Sequence, residues 1–196
     1  MSNWPTKKLG EYKKKDAVYF LLRDILSCFP TSVESNLISA LNQHLISKEL
    51  TRQILKEEVQ KKSPSFRILA GALTLQKFFL IQLPRAAFYE VIDVVPELRH
   101  CFYNDPRKTI RGLSAEVILR LFIILHFECR ILPGKGDQSY IEQFKEHFSK
   151  DDMKNILNAH EMCVPVRFIF ERHGIDLGGG DEIQKRIENT LNEFYS

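Results

Sequence analysis

Signals of β-structure are missing from this chain of 196 residues. No segment alternates apolar and polar residues over the length of a strand, and neither Asn-Gly nor Asp-Gly occurs to close a hairpin. Cysteine is scarce: Cys28, Cys101, Cys129 and Cys163 stand far apart in apolar neighbourhoods. That pattern excludes a dense disulfide framework and fits reduced, buried thiols in an intracellular protein. The start, MSNWPTKKLGEYKKK, has no apolar stretch of the secretory kind, and no Asn-x-Ser/Thr acceptor is present. No G-x-S-x-G elbow, Walker loop or H-E-x-x-H motif occurs. The short glycine loops at 134–136 and 178–181 each lead into an aspartate, which would repel a phosphate.

What is present is helical. Residues 114–132, SAEVILRLFIILHFECRIL, are apolar around nearly the whole circumference of a helix. Such a helix must be wrapped by others. Glu116, Arg120, His126, Glu128 and Arg130 interrupt it too often for a membrane span, which needs ~20 predominantly apolar residues. The expectation is therefore a compact all-α domain over 16–196 around a buried central helix at 114–132, with Leu121, Phe122 and Leu125 in its core. Residues 1–15 read as a basic, flexible arm.

The flanking segments show the helical period. Val18, Leu21, Leu22, Ile25 and Phe29 share a face, as do Val33, Leu37, Leu41 and Leu45. Leu50, Ile54, Leu55 and Val59 form the apolar side of a helix whose Lys, Glu, Arg and Gln positions read as solvated. Ser63-Pro64 opens a strongly apolar helix, in which Ala70-Gly71-Ala72 leaves room for a close neighbour. Val91 to Val95 reads as a helix end rather than a strand. Pro106 and Gly112 bracket a turn-rich basic connection into the central helix. Ser149 with Asp152 has capping-box spacing. Gly174 suits a left-handed helix end. Ile183, Ile187, Leu191 and Phe194 line a last helix.

Two His-x-x-Cys pairs, His126/Cys129 and His160/Cys163, have the residue types of a tetrahedral zinc site. Both lie in long apolar helical segments, without the loop-borne cysteine pair of structural zinc sites, so packing is the expected role and no metal or other cofactor is expected. His100 and Cys101 are neighbours in sequence and so fall on different helix faces, which argues against a Cys–His nucleophile.

Charge is uneven. Residues 137–196 hold twelve acidic and seven basic side chains, a net of −5, which leaves +8 on residues 1–136 of a chain whose total is +3. Such asymmetry favours an anionic partner or self-complementary assembly into a homo-oligomer. The segment 99–111 interleaves cations with aromatics. Arg99, Tyr103, Arg107, Lys108 and Arg111 are its candidate binding residues, and Lys7, Lys8, Lys13, Lys14, Lys15, Lys61 and Lys62 would extend the footprint. The expected function is a non-enzymatic helical module that binds a partner protein or peptide. The alternative is RNA or DNA binding on the basic surface of residues 1–136, where cations neutralise phosphates and aromatics stack on bases.

Overall fold

The computed structural model describes residues 48–82, 88, 91–129, 137–161, 166–180 and 182–196. The expected arm at 1–15 and the helical faces at 18–29 and 33–45 lie outside the described residues. Within them the chain is an all-α domain of eight α-helices with no strand. The helices are α1 (Lys48–Val59), α2 (Phe66–Gln82), α3 (Val95–Asn104), α4 (Lys108–Ile123), α5 (Asp137–His147), α6 (Lys150–Glu161), α7 (Val166–Arg172) and α8 (Glu182–Tyr195). No described helix is long and apolar enough to cross a membrane.

Helix α4 is the axis of the fold. Every residue from Ser114 to His126 is buried. Its apolar circumference leaves no side for water, and α2, α3 and α6 pack around it. Two boundaries differ from the sequence-based expectation. The helix starts at Lys108, so Gly112 is a buried helical residue and the connection shrinks to Asp105-Pro106-Arg107. At its other end the helix widens into a π turn at Ile124–Cys129, and 130–132 lie outside the described residues.

The other helices bury most of the faces their spacing marks: Val59 and Ile183 are half-buried, and the Leu50 side chain lies outside the described residues. Helix α1 packs on α2, with Ile54 and Leu55 of the first and Leu69, Ala72 and Leu73 of the second buried. A one-turn 3₁₀ segment, Ile92–Val94, runs directly into α3, whose first turn takes Pro96 at no cost because its missing N–H would have no helical partner. Phenylalanine is the main filler of the carboxyl-terminal half. Phe194 of α8 meets Phe122 edge-on at 4.9 Å between centroids and Phe144 at 6.0 Å. Burying each such ring contributes about 1.5–3 kcal/mol.

Local signals hold where their partners are near in sequence. The capping box forms: the Ser149 amide and hydroxyl donate to Asp152 Oδ2 at 2.9 and 2.8 Å, and the Asp152 amide donates to Ser149 Oγ at 3.2 Å. Gly174 closes α7 at φ +74°, where a side chain would strain the backbone. One expectation fails. Glu58, placed on a solvated face of α1, is 1% exposed. Its Oε1 accepts the Ser65 amide at 2.6 Å and its Oε2 the Lys61 ammonium at 2.6 Å, so the carboxylate caps the start of α2 from the preceding helix.

Candidate functional site

The five candidate binding residues divide into two groups that face different neighbours. Arg99 and Tyr103 lie one helical turn apart on α3 and turn toward the start of α6. The Arg99 guanidinium covers one face of the Tyr103 ring at 4.7 Å and reaches Asp152 at 3.8 Å. The Tyr103 hydroxyl donates to the same Asp152 carboxylate. Burial pushes the Tyr103 phenol up to about 12, reinforced by that carboxylate. Partial burial works against the Asp152 ion, but the donors from Tyr103 and Ser149 and the Arg99 charge hold it below the ordinary carboxylate range. This group is a strap between α3 and α6.

The second group sits where two loops meet. Arg107 donates from Nε and Nη2 to the two oxygens of Asp105, at 2.8 and 2.5 Å, and from Nη1 to the Pro64 carbonyl at 2.9 Å. Asp105, 8% exposed, also accepts the Arg107 amide at 2.9 Å. The Arg107 donors hold Asp105 below the usual carboxylate range. Arg111 donates to the carbonyls of Asp105 and Pro106 at 3.0 and 2.9 Å. A bidentate guanidinium–carboxylate pair is geometrically demanding, so Arg107 clamps the α3–α4 loop onto the α1–α2 loop. Lys108 is exposed and makes no ion pair among the described residues.

The clamp builds a ledge that sequence spacing does not reveal. Phe66, 43% exposed, lies beside the Arg107 guanidinium at 5.9 Å from ring centroid to Cζ. The side chains of Lys62 and Arg67, on the same stretch of chain as Phe66, and of Lys108, next to Arg107, are exposed. Lys61 and Arg111 add two more cations, half-buried. The acids in these loops and beneath them, Glu58 and Asp105, are buried. Residues 61–67 and 107–111 therefore show water an aromatic ring and several cations, with no carboxylate in either stretch. Phe66 was missed because its role depends on Pro64 and Arg107 meeting across 43 positions of sequence.

A second cluster of charge is buried against α4. Arg120, 4% exposed, donates from Nε and Nη2 to Glu116 Oε1 at 3.2 and 2.7 Å. Glu116 Oε2 meets the Lys77 ammonium of α2 at 3.3 Å. Arg120 Nη1 lies 3.3 Å from His173 Nε2. A guanidinium only donates, so Nε2 is the acceptor and the imidazole is neutral. Burial and the Arg120 charge push His173 down to about 4. These charges tie α2, α4 and the end of α7 together inside the core.

Cys101 is buried, and burial pushes its thiol up to about 12, far from thiolate reactivity. His100 is exposed and engages Asn104 at 3.1 Å, on another face from Cys101. His126 is stacked on Phe122 at 6.1 Å and meets the Phe194 ring at 5.9 Å. The side chains of Cys129 and His160, and all of Cys163, lie outside the described residues. Among the described residues no three His, Cys, Asp or Glu side chains cluster as metal ligands would. An open hollow of about 510 Å³ is lined by Arg52, Gln53, Lys56, Glu57, Gln60 and Asp93, and its Arg52–Asp93 ion pair closes at 2.5 Å.

Comparison with protein-family models, with curated proteins and with solved structures finds no match for this chain.

Proposed function

We propose that this protein is a non-enzymatic helical interaction module and that the Phe66–Arg107 ledge is its docking surface for a partner protein. One observation carries the reading: an exposed aromatic side chain stands beside a guanidinium that three hydrogen bonds to Asp105 and Pro64 hold in place. Aromatic and arginine side chains dominate the binding energy of protein interfaces, most of all where they are held rigid before contact. Arg107 loses little freedom on binding because the clamp already fixes it.

Nucleic-acid binding is the second reading, favoured by the six cations of residues 61–67 and 107–111. Two features weigh against it. Arg107 and Arg111 already donate to groups of their own chain. The Tyr103 and Phe66 rings, which would stack on bases, each have an arginine over one face. The test compares proteins retained from nuclease-treated lysate by the wild type and by a Phe66→Ala, Lys62→Glu, Lys108→Glu variant. A partner retained by the wild type despite nuclease, and lost by the variant, is the expected result. Retention that disappears with nuclease, or falls steeply with salt as phosphate contacts do, would favour the second reading.

A further inference from the structure

We propose that the partner segment seated on the ledge is an acidic peptide carrying one apolar side chain that packs on Phe66. This rests on the ledge being a protein-docking surface and names the chemistry of what docks there. Charge complementarity decides the sign. Lys62, Arg67 and Lys108 are exposed on the stretches that carry Phe66 and Arg107, and Asp105 and Glu58 are buried. A basic segment would meet only like charge, and a neutral one would leave three ammonium or guanidinium groups without partners at a desolvated contact, which costs affinity. Helices α2 and α4 both begin at this surface, at Phe66 and Lys108, and neither has an acid in its first turn. The Ser65 and Arg107 amides at these starts are already taken by Glu58 and Asp105, so the attraction for an acidic segment rests on the exposed cations.

The apolar anchor follows from Phe66. At 43% exposure the ring keeps a large apolar area in water, and a carboxylate gains nothing from it. A leucine or phenylalanine flanked by aspartates or glutamates satisfies both parts of the surface at once. The cations fall within residues 61–67 and 107–111, two short stretches held together by the Arg107–Pro64 and Arg107–Phe66 contacts, so they favour a short segment with its apolar anchor central. That arrangement differs from the row of cations needed to follow a phosphate backbone.

The experiment uses the full chain and fluorescence anisotropy. The probes are synthetic peptides of equal length: acidic with a central leucine, acidic with glycine there, neutral with leucine, and basic with leucine. A single-stranded oligo-dT is the fifth probe. The acidic leucine peptide should bind tightest. Phe66→Ala should weaken it by about tenfold or more and bring it to the level of the acidic glycine peptide. Lys62→Glu with Lys108→Glu should weaken both acidic peptides and leave the circular-dichroism spectrum unchanged. If the neutral leucine peptide binds as tightly and remains Phe66-dependent, the acidic assignment is wrong and the docking surface stands. If oligo-dT binds tightest and ignores Phe66→Ala, both are wrong. If no peptide binds, the acidic-peptide proposal is overturned.

Discussion

Acidification should destabilise this protein through His173 at a higher pH than through Asp105 or Asp152. In the fold the imidazole accepts from the Arg120 guanidinium at 3.3 Å, and it stays neutral down to about pH 4 against an ordinary value of 6.5. A folded-state pKa below that of the unfolded chain means that the unfolded chain takes up the proton first. Stability is therefore complete above pH 6.5, falls as the pH drops toward 4, and changes no further from this group below that. The full gap corresponds to about 3 kcal/mol at 1.36 kcal/mol per pH unit, with roughly 2 kcal/mol gone by pH 5. Urea unfolding followed by far-ultraviolet circular dichroism at pH 7, 6, 5 and 4.5 measures the loss. The control is His173→Gln, which keeps an acceptor for Arg120 and cannot titrate. Subtracting its profile removes the shared contribution of the other histidines. Asp105 and Asp152 are held below the ordinary carboxylate value of 3.8, and the stability they contribute is lost at still lower pH. Parallel profiles for wild type and variant, within about 0.5 kcal/mol from pH 7 to 4.5, would refute the placement of a neutral His173 against Arg120.

Three further outcomes follow from the packing. Phe122→Ala, at 1% exposure between Phe194 and His126, should cost about 3–5 kcal/mol in chemical denaturation. A cost under about 1 kcal/mol would remove α4 from the centre of the fold. Glu116→Gln alone should cost about 3–5 kcal/mol because it leaves Arg120 buried without its counter-ion, whereas Glu116→Leu with Arg120→Met should recover most of that loss. Equal losses in the single and double variants would contradict the pairing. Arg107→Ala should cost about 1–3 kcal/mol, since Asp105 and the Pro64 carbonyl lose their donors, and hydrogen exchange should quicken at the start of α2. Unchanged exchange there would show that the two loops are not clamped.

How much was legible in the sequence depended on how far each interaction reaches along the chain. Helix α4 could be read because apolar residues fall on every side of it between Ser114 and His126, whereas the burial of Glu116 and Arg120 depends on Lys77 and His173 from distant parts of the chain. The Ser149–Asp152 box and the Gly174 helix end could be read because their geometry closes within a few residues. The start of α4 could not. Gly112 looks like a breaker, and only burial among neighbouring helices makes it a helical residue. Glu58 looked solvated because periodicity counts charges as outward-facing, whereas the α2 start and Lys61 supply the donors that let it be buried. Segment 99–111 was singled out as one basic–aromatic stretch. Its two halves engage different neighbours: Asp152 for Arg99 and Tyr103, and Asp105 with Pro64 for Arg107. The Phe66 ledge exists only because those long-range bonds form.

The most direct measurement is photo-crosslinking in living cells from a benzophenone side chain placed at position 66, with position 146 on the exposed face of α5 as control. If the ledge is a docking surface for protein, position 66 gives a discrete polypeptide adduct that survives nuclease. Position 146 does not give it, and reversing Lys62 and Lys108 to Glu diminishes it. An adduct at position 66 that nuclease destroys, or the same set of adducts from both positions, would contradict the interaction-module reading.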